Sequence, residues 1–373
     1  MLALTGATIY VDPAAEPIRE GVVLIDGEMI AAVGTAIEIP AGAQTIDCTG
    51  RTITAGFWNS HVHFFQRKWA KASELAAAEL QKQLDETLTR YGFTTVFDTG
   101  SSLANTRAIR DRIERGEVHG PRIFTTGEAL LAPEAMPPTR ILATLGIAPF
   151  SGPEITDDAS AVHATRTLLE AGADAIKLHL QPPPAPHLPI GESAIRAVVE
   201  TAHAAGKLVF VHPHTTADVA LALRCGVDVI AHTTPMSDPW RDLEPRAALT
   251  PTLTLWPYVF RHDRHALQKQ FANAAIEQLR TWISRGGRVL FGTDQGAVPD
   301  DPRAEYDAMV QAGMTFRDIL ASLTTTPAEV FGEVNVGKVA QGFAAGLVVL
   351  GGGGLGDVVM TIQRGRVTCR APV

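Results

Sequence analysis

The sequence predicts an α/β protein: a (β/α)8 TIM-type barrel carrying a small β-sandwich built from both chain termini. Strand-like and helix-like segments alternate through the middle of the 373 residues. Both ends are rich in short strand and turn signals, and neither end alone could bury a core. Polar residues able to do chemistry recur at the C-terminal ends of the apolar strand runs, where barrel enzymes place their active groups. The boundaries read as 1–55 with 338–373 for the composite β-domain and 56–337 for the barrel.

In chain order, Leu2 to Val11, Gly21 to Asp26, Met29 to Val33 and Thr45 to Asp47 read as strands, with Asp26-Gly27 turning a hairpin. Strand candidates then follow at Phe57–His61, Thr94–Asp98, Arg122–Thr126, Ala175–His179, Leu208–His212, Val227–His232, Ala248–Leu253 and Arg288–Thr293. Helices are expected at Ser73–Tyr91, Leu103–Gly116, Asp158–Ala171, Glu192–Ala205, Ala217–Cys225 and Gln268–Arg285. Leu347 to Leu350, Val358 to Gln363 and Arg366 to Cys369 return to strand character. A doubly wound sheet would need Gly-rich dinucleotide chemistry after an early strand, and none is present. Gly351 to Gly354 lacks the Lys-Ser/Thr and helix of a phosphate loop. Long loops at Glu128–Ile155, Gln181–Gly191 and Leu255–His265 fall after the third, fourth and seventh strands, around the expected mouth.

Composition narrows the partners. Hydrophobic residues make up 46% and charged residues 19%, which suits a large core. Net charge is -8 with no basic run, which argues against nucleic acid or an anionic membrane and for a small-molecule substrate. Cys48, Cys225 and Cys369 are far apart and lack CxxC spacing, as expected of reduced thiols. With no signal-like start and no apolar run near the roughly 20 residues of a membrane span, the expected location is the cytoplasm. Homo-oligomerisation stays open.

His61-Val62-His63 is the most informative short feature, because residues two apart on a strand point to one face and both imidazoles can reach one cation. Lys177 lies on strand four, His212 ends strand five, His232 ends strand six and Asp294 follows strand eight. All six gather at one rim of a barrel, and His and carboxylate donors suit Zn²⁺ and similar ions. Structural alternatives remain for some of them. A buried lysine can pair with an acid instead of binding a cation, and His212 competes with His214 beyond Pro213. His179 shares the face of Lys177 and reads as support or substrate contact. Trp256, Tyr258, Phe64 and Phe65 lie just past strand ends and are read as walls of an apolar pocket, although aromatic residues there are as often packing.

This pattern resembles the amidohydrolase superfamily. The resemblance runs from Thr52-Ile53-Thr54-Ala55-Gly56-Phe57-Trp58-Asn59-Ser60-His61-Val62-His63, through Gly292-Thr293-Asp294, to the stretch from Gly337 to Leu350. The subgroup most resembled holds imidazolonepropionase-like and Xaa-Pro or Xaa-Arg dipeptidase-like enzymes. The chain departs from it at Gly127-Glu128-Ala129-Leu130, where that group tends to carry Gly-Gly-His, and at Gly346, where Ala-Asp-Leu is usual.

The resemblance implies two divalent cations, with zinc the expected identity, bridged by a CO₂-carboxylated Lys177. It further implies that His61, His63 and Asp294 hold one cation and His212 and His232 the other. A bridging hydroxide would attack a C–N bond in an amide, dipeptide, lactam, carbamate or urea, with Asp294 as general base and then acid. Phosphoester or carboxylester hydrolysis by the same centre is the alternative, and a catalytically silent scaffold is a third reading. A deaminase is disfavoured, since no glutamate follows His212 in Pro213-His214-Thr215-Thr216.

Overall fold

A computed structural model describes residues 1–135, 152–235, 238–262, 265–352 and 354–370. The terminal segments form one eight-stranded sheet. Its members are β1 (Leu2–Ile9), β2 (Ile18–Asp26), β3 (Met29–Gly34), β4 (Gln44–Asp47), β5 (Thr52–Ala55), β15 (Leu347–Leu350), β16 (Val358–Gln363) and β17 (Arg366–Arg370). The order is β17-β16-β15-β5-β1-β2-β3, with β4 beside β1, so the C-terminal strands join the N-terminal ones in one sheet through the β15–β5 pair. Leu4, Ile9, Val23, Ile25, Ile53, Val349 and Ile362 supply its apolar core. The β2–β3 hairpin closes at Asp26 opposite Met29, where Gly27 adopts φ 56°. The short strand β5 was not expected, and Gly56 alone separates it from the first strand of the central part.

The centre carries two parallel sheets. One has three strands: β6 (Phe57–Val62), β7 (Phe93–Asp98) and β8 (Arg122–Thr125). The other has six: β9 (Leu130–Leu131), β10 (Ile176–His179), β11 (Val209–His212), β12 (Val229–Ala231), β13 (Ala248–Thr250) and β14 (Arg288–Val289). Strand eight was expected to run from Arg288 to Thr293, but its ladder stops at Val289. From there the chain bonds to β6: Ser60 N donates to Phe291 O at 2.7 Å, and Asp294 N to His61 O at 3.0 Å. On the opposite side Asp174 N donates to Thr125 O at 2.7 Å, and the short β9 follows β8 directly in the chain and pairs with β10.

Period-two alternation divides the strand side chains. Phe97, Ala175, Phe210, Val229 and Leu290 pack together as an inner cluster, whereas Ile176, Val209, Val211 and Ile230 join the large core beneath the helices. Helices at Ala77–Thr87, Leu103–Glu114, Asp158–Glu170, Glu192–Ala204, Thr216–Cys225 and His265–Ser284 follow the expected segments. The loop expected at Leu255–His265 contains a short helix, Leu255–Val259, and helices at Arg303–Gln311, Phe316–Leu323 and Thr325–Val330 lie beyond β14. The loop expected at Glu128–Ile155 falls in large part outside the described residues.

Candidate metal centre

His61 ends the inward face of β6. Gly292 makes room for it, because a Cβ there would meet His61 Cβ at 2.8 Å and Thr250 Cγ2 at 2.2 Å. His61 Nε2 lies 3.3 Å from His63 Nε2, and Asp294 Oδ1 lies 3.4 Å from the first and 2.9 Å from the second. Three lone-pair-bearing atoms this close repel unless a proton or a cation lies among them.

His232 continues the cluster. Simple alternation from inward Val229 would turn it outward with Ile230, but φ is 84° at His232, and its ring centroid lies 4.4 Å from that of His61. Asp294 also adopts positive φ, 60°. For non-glycine residues such conformations cost on the order of 1–3 kcal/mol and concentrate at functional sites. Donor atoms of His61, His232 and Asp294 all lie within 4.8 Å of one another.

His212 is the strand-five histidine that joins them. Its ring lies 4.7 Å from that of His232 and stacks on His179 at 4.0 Å, because His179 and His212 are paired in register across β10 and β11. His214 belongs to the next turn instead. Its backbone N donates to Asp218, whose capping box with Thr215 starts the helix Thr216–Cys225 and ends the strand at His212.

Lys177 is buried on β10, and its Nζ has no hydrogen-bond partner among the described residues. Burial, only partly offset by Asp294, pulls its amine down to about 7. Burial also holds His61 and His179 down at about 3, with Lys177 adding to both, and keeps His212 and His232 well below the ordinary histidine range. Asp294 moves the other way: burial raises it, but His61 and His63 outweigh burial and hold it well below the usual carboxylate range. The rings are therefore neutral donors and Asp294 an anion at neutral pH, as cation binding requires.

The apolar expectations divide. Phe64 does not line the mouth; it is buried in the main core, edge-on to Trp69 with centroids 5.0 Å apart. Phe65 takes that place, stacked on His63 at 4.4 Å. Trp256 has its centroid 6.3 Å from that of His212, while its Nε1 donates to Thr233 O at 2.8 Å. Tyr258 packs with Trp256 and Phe65, under the Arg261 guanidinium at 3.8 Å.

Sequence reasoning missed Asp98, Thr252 and Glu305. Asp98 is buried at the end of β7, 3.9 Å from His63 Nδ1, and accepts from Ser101 at 2.5 Å, Thr106 at 2.7 Å and Thr125 at 2.8 Å. Burial raises its carboxyl against the pull of His63 and these hydroxyls. Thr252 Oγ1 lies 2.7 Å from His232 Nδ1. A search for polar residues at every strand end, the second and seventh included, would have found the first two.

The amidohydrolase family model matches residues 52–368. The chain belongs to the amidohydrolase family. No curated protein matches it. Among solved structures, an Xaa-Pro dipeptidase with bound methionine in the active site is similar at TM-score 0.82 and 22% identity, over 99% of this chain and 100% of that one. A prolidase complexed with N-methylphosphonate-L-proline is similar at TM-score 0.77 and 25% identity, over 99% of this chain and 100% of that one. A molinate hydrolase is similar at TM-score 0.73 and 21% identity, over 98% of this chain and 94% of that one. Family membership makes this amidohydrolase a hydrolase, and no helix among its described residues is long and apolar enough to cross a membrane.

Proposed function

We propose that this amidohydrolase is a metal-dependent enzyme that cleaves a C–N bond in a small peptide-like amide. One observation carries the proposal: His61 Nε2, His63 Nε2 and Asp294 Oδ1 converge within 3.4 Å, and the buried Lys177 amine has no hydrogen-bond partner among the described residues. The donor set fits divalent cations: His61, His63 and Asp294 would hold one, His212 and His232 the other, and Lys177 would bridge. Bound there, such cations supply polarisation of a carbonyl and a water acidic enough to ionise near neutral pH.

The remaining steps belong to the protein. With its amine held near 7, Lys177 is largely neutral at mildly alkaline pH and can add CO₂, losing one proton to give a carbamate anion with two donor oxygens. Asp294, an anion in the folded protein, accepts the proton of the attacking water and returns it to the leaving amine. Phe65 and Trp256 limit water around His63 and His212.

The same proposal includes the closed (β/α)8 barrel over 56–337 and the composite β-domain of 1–55 and 338–373. The hydrogen bonds at Ser60–Phe291 and Asp174–Thr125 support closure. The prolidase neighbour supports a peptide-like amide over a phosphoester. A hydrolysis screen of metal-replete protein across dipeptides, N-acyl amino acids, lactams, carbamates and phosphoesters tests it. Turnover confined to phosphoesters would overturn the assigned bond type.

A further inference from the structure

Three hydrogen bonds tie a distant carboxylate to the loop that touches His232. Glu305 is buried on the helix Arg303–Gln311. Its carboxylate accepts from Leu253 N at 2.7 Å, from Thr254 N at 3.0 Å and from Thr254 Oγ1 at 3.0 Å. Thr252, the residue just before this clamp, has φ 42°. A β-branched residue adopts that conformation only when its surroundings impose it.

On the other side, His232 N donates to Thr250 O at 2.9 Å and Thr233 N to Pro251 O at 3.1 Å, so the loop is held from both flanks. The outcome is one hydroxyl, Thr252 Oγ1, set 2.7 Å from His232 Nδ1. His232 itself stands at φ 84° with its ring among the other histidines.

From this geometry we infer that Glu305 and Thr252 form a positioning relay that fixes the ring orientation and tautomer of His232. Glu305 holds the amides of Leu253 and Thr254, this clamp sets Thr252 in its left-handed conformation, and Thr252 Oγ1 accepts the Nδ1 proton of His232. The Nε2 lone pair is thereby left for a cation, the usual division of labour in a ligating histidine. Neither Glu305 nor Thr252 touches a reacting atom in this scheme. The consequence for cation binding rests on the metal-centre proposal above, whereas the tautomer does not.

Two-bond proton–nitrogen correlation spectra of metal-free protein labelled with ¹⁵N-histidine read the tautomer directly. His232 is expected in the Nδ1–H form in the natural protein and in Thr252→Ser. Thr252→Ala is expected to shift it towards a mixture with Nε2–H, and Glu305→Gln or, should that variant fold poorly, Glu305→Asp to do the same. Zn²⁺ titration should then show one of two cations weakened about 10- to 100-fold, the scale for losing an outer partner of a ligating histidine. The Thr252→Ala, Glu305→Gln double variant should be no worse than the worse single, because both act through one contact. Unchanged His232 nitrogen signals in Thr252→Ala, or in both Glu305 variants, would overturn the relay. A natural protein that binds no Zn²⁺ at all would instead remove the metal-centre proposal, and the nitrogen spectra would still decide the tautomer.

Discussion

Asp294 Oδ1 lies 2.9 Å from His63 Nε2, so the segment after β14 delivers its carboxylate directly onto the second histidine of the His-Val-His run. Asp294 N also donates to His61 O at 3.0 Å, which fixes the approach from the backbone. Asp294→Asn keeps the shape but removes the anion and the proton acceptor. The expected result is a fall in kcat of at least about 100-fold, the usual worth of a positioned base, with the melting temperature changed by only a few degrees. Steady-state kinetics and a thermal melt check both halves.

In the proposed centre, Lys177 is expected to cost the metal-free protein stability. Its buried Nζ has no hydrogen-bond partner among the described residues, and an unsatisfied buried polar group costs roughly 1–3 kcal/mol. Lys177→Met should therefore raise the stability of the metal-free protein on that scale while abolishing hydrolysis. Denaturant unfolding beside an activity assay tests this, and a destabilised variant would contradict it.

Acid should unfold the metal-free protein earlier than its carboxylates alone would. His61 and His179 are held at about 3, against an ordinary histidine near 6.5. Between those values the unfolded chain binds protons that the folded one does not, so stability rises with pH across the window and is lost as pH falls. Each histidine contributes up to about 1.4 kcal/mol per pH unit there. Urea midpoints at pH 7.5, 6 and 5 measure the slope, and a flat profile would count against buried neutral rings.

Much of this site was legible in the sequence because its donors sit at strand ends, where an apolar run stops at a polar residue. His61 and His212 follow that rule; Lys177 lies inside β10, where alternation places it with Ala175, as it places His212 with Phe210, on the inner side. His232 was found by the same rule although alternation alone would have turned it outward; its positive φ has no sequence signature, since only glycine advertises such a conformation. Phe64 and Phe65 were indistinguishable because strand β6 ends between His61 and His63, and past a strand's end its period no longer assigns faces. Glu305 was invisible for another reason: its partners are backbone amides of a loop distant in sequence.

Gly292 is a packing requirement of the centre. A Cβ added there would meet Thr250 Cγ2 at 2.2 Å and His61 Cβ at 2.8 Å, and both neighbours are held by strands. Gly292→Ala should cost about 1–3 kcal/mol, the usual penalty for overpacking, and weaken cation binding at His61. Urea denaturation and Zn²⁺ titration of the same variant check the pair of effects.

Glu305 gives a pH signature opposite in sign to the histidines. Burial raises its carboxyl to about 7 despite the hydrogen bonds from Leu253 and Thr254, against an ordinary glutamate of 4.5. Between those values the folded protein holds a proton that the unfolded chain has lost, so this group's contribution to stability declines as pH rises through the window. Its total is at most about 3.4 kcal/mol. Subtracting the Glu305→Gln profile from that of the natural protein between pH 4.5 and 7 isolates this contribution, and identical slopes would refute it.

Metal content measured alongside activity tests the central claim most directly. Protein purified without chelator, dialysed and analysed by inductively coupled plasma mass spectrometry should carry about two divalent cations per chain, as a two-metal centre requires. Its amide hydrolysis should vanish on chelation and return with Zn²⁺. Folded protein that hydrolyses amides at full rate with no bound cation would contradict the account.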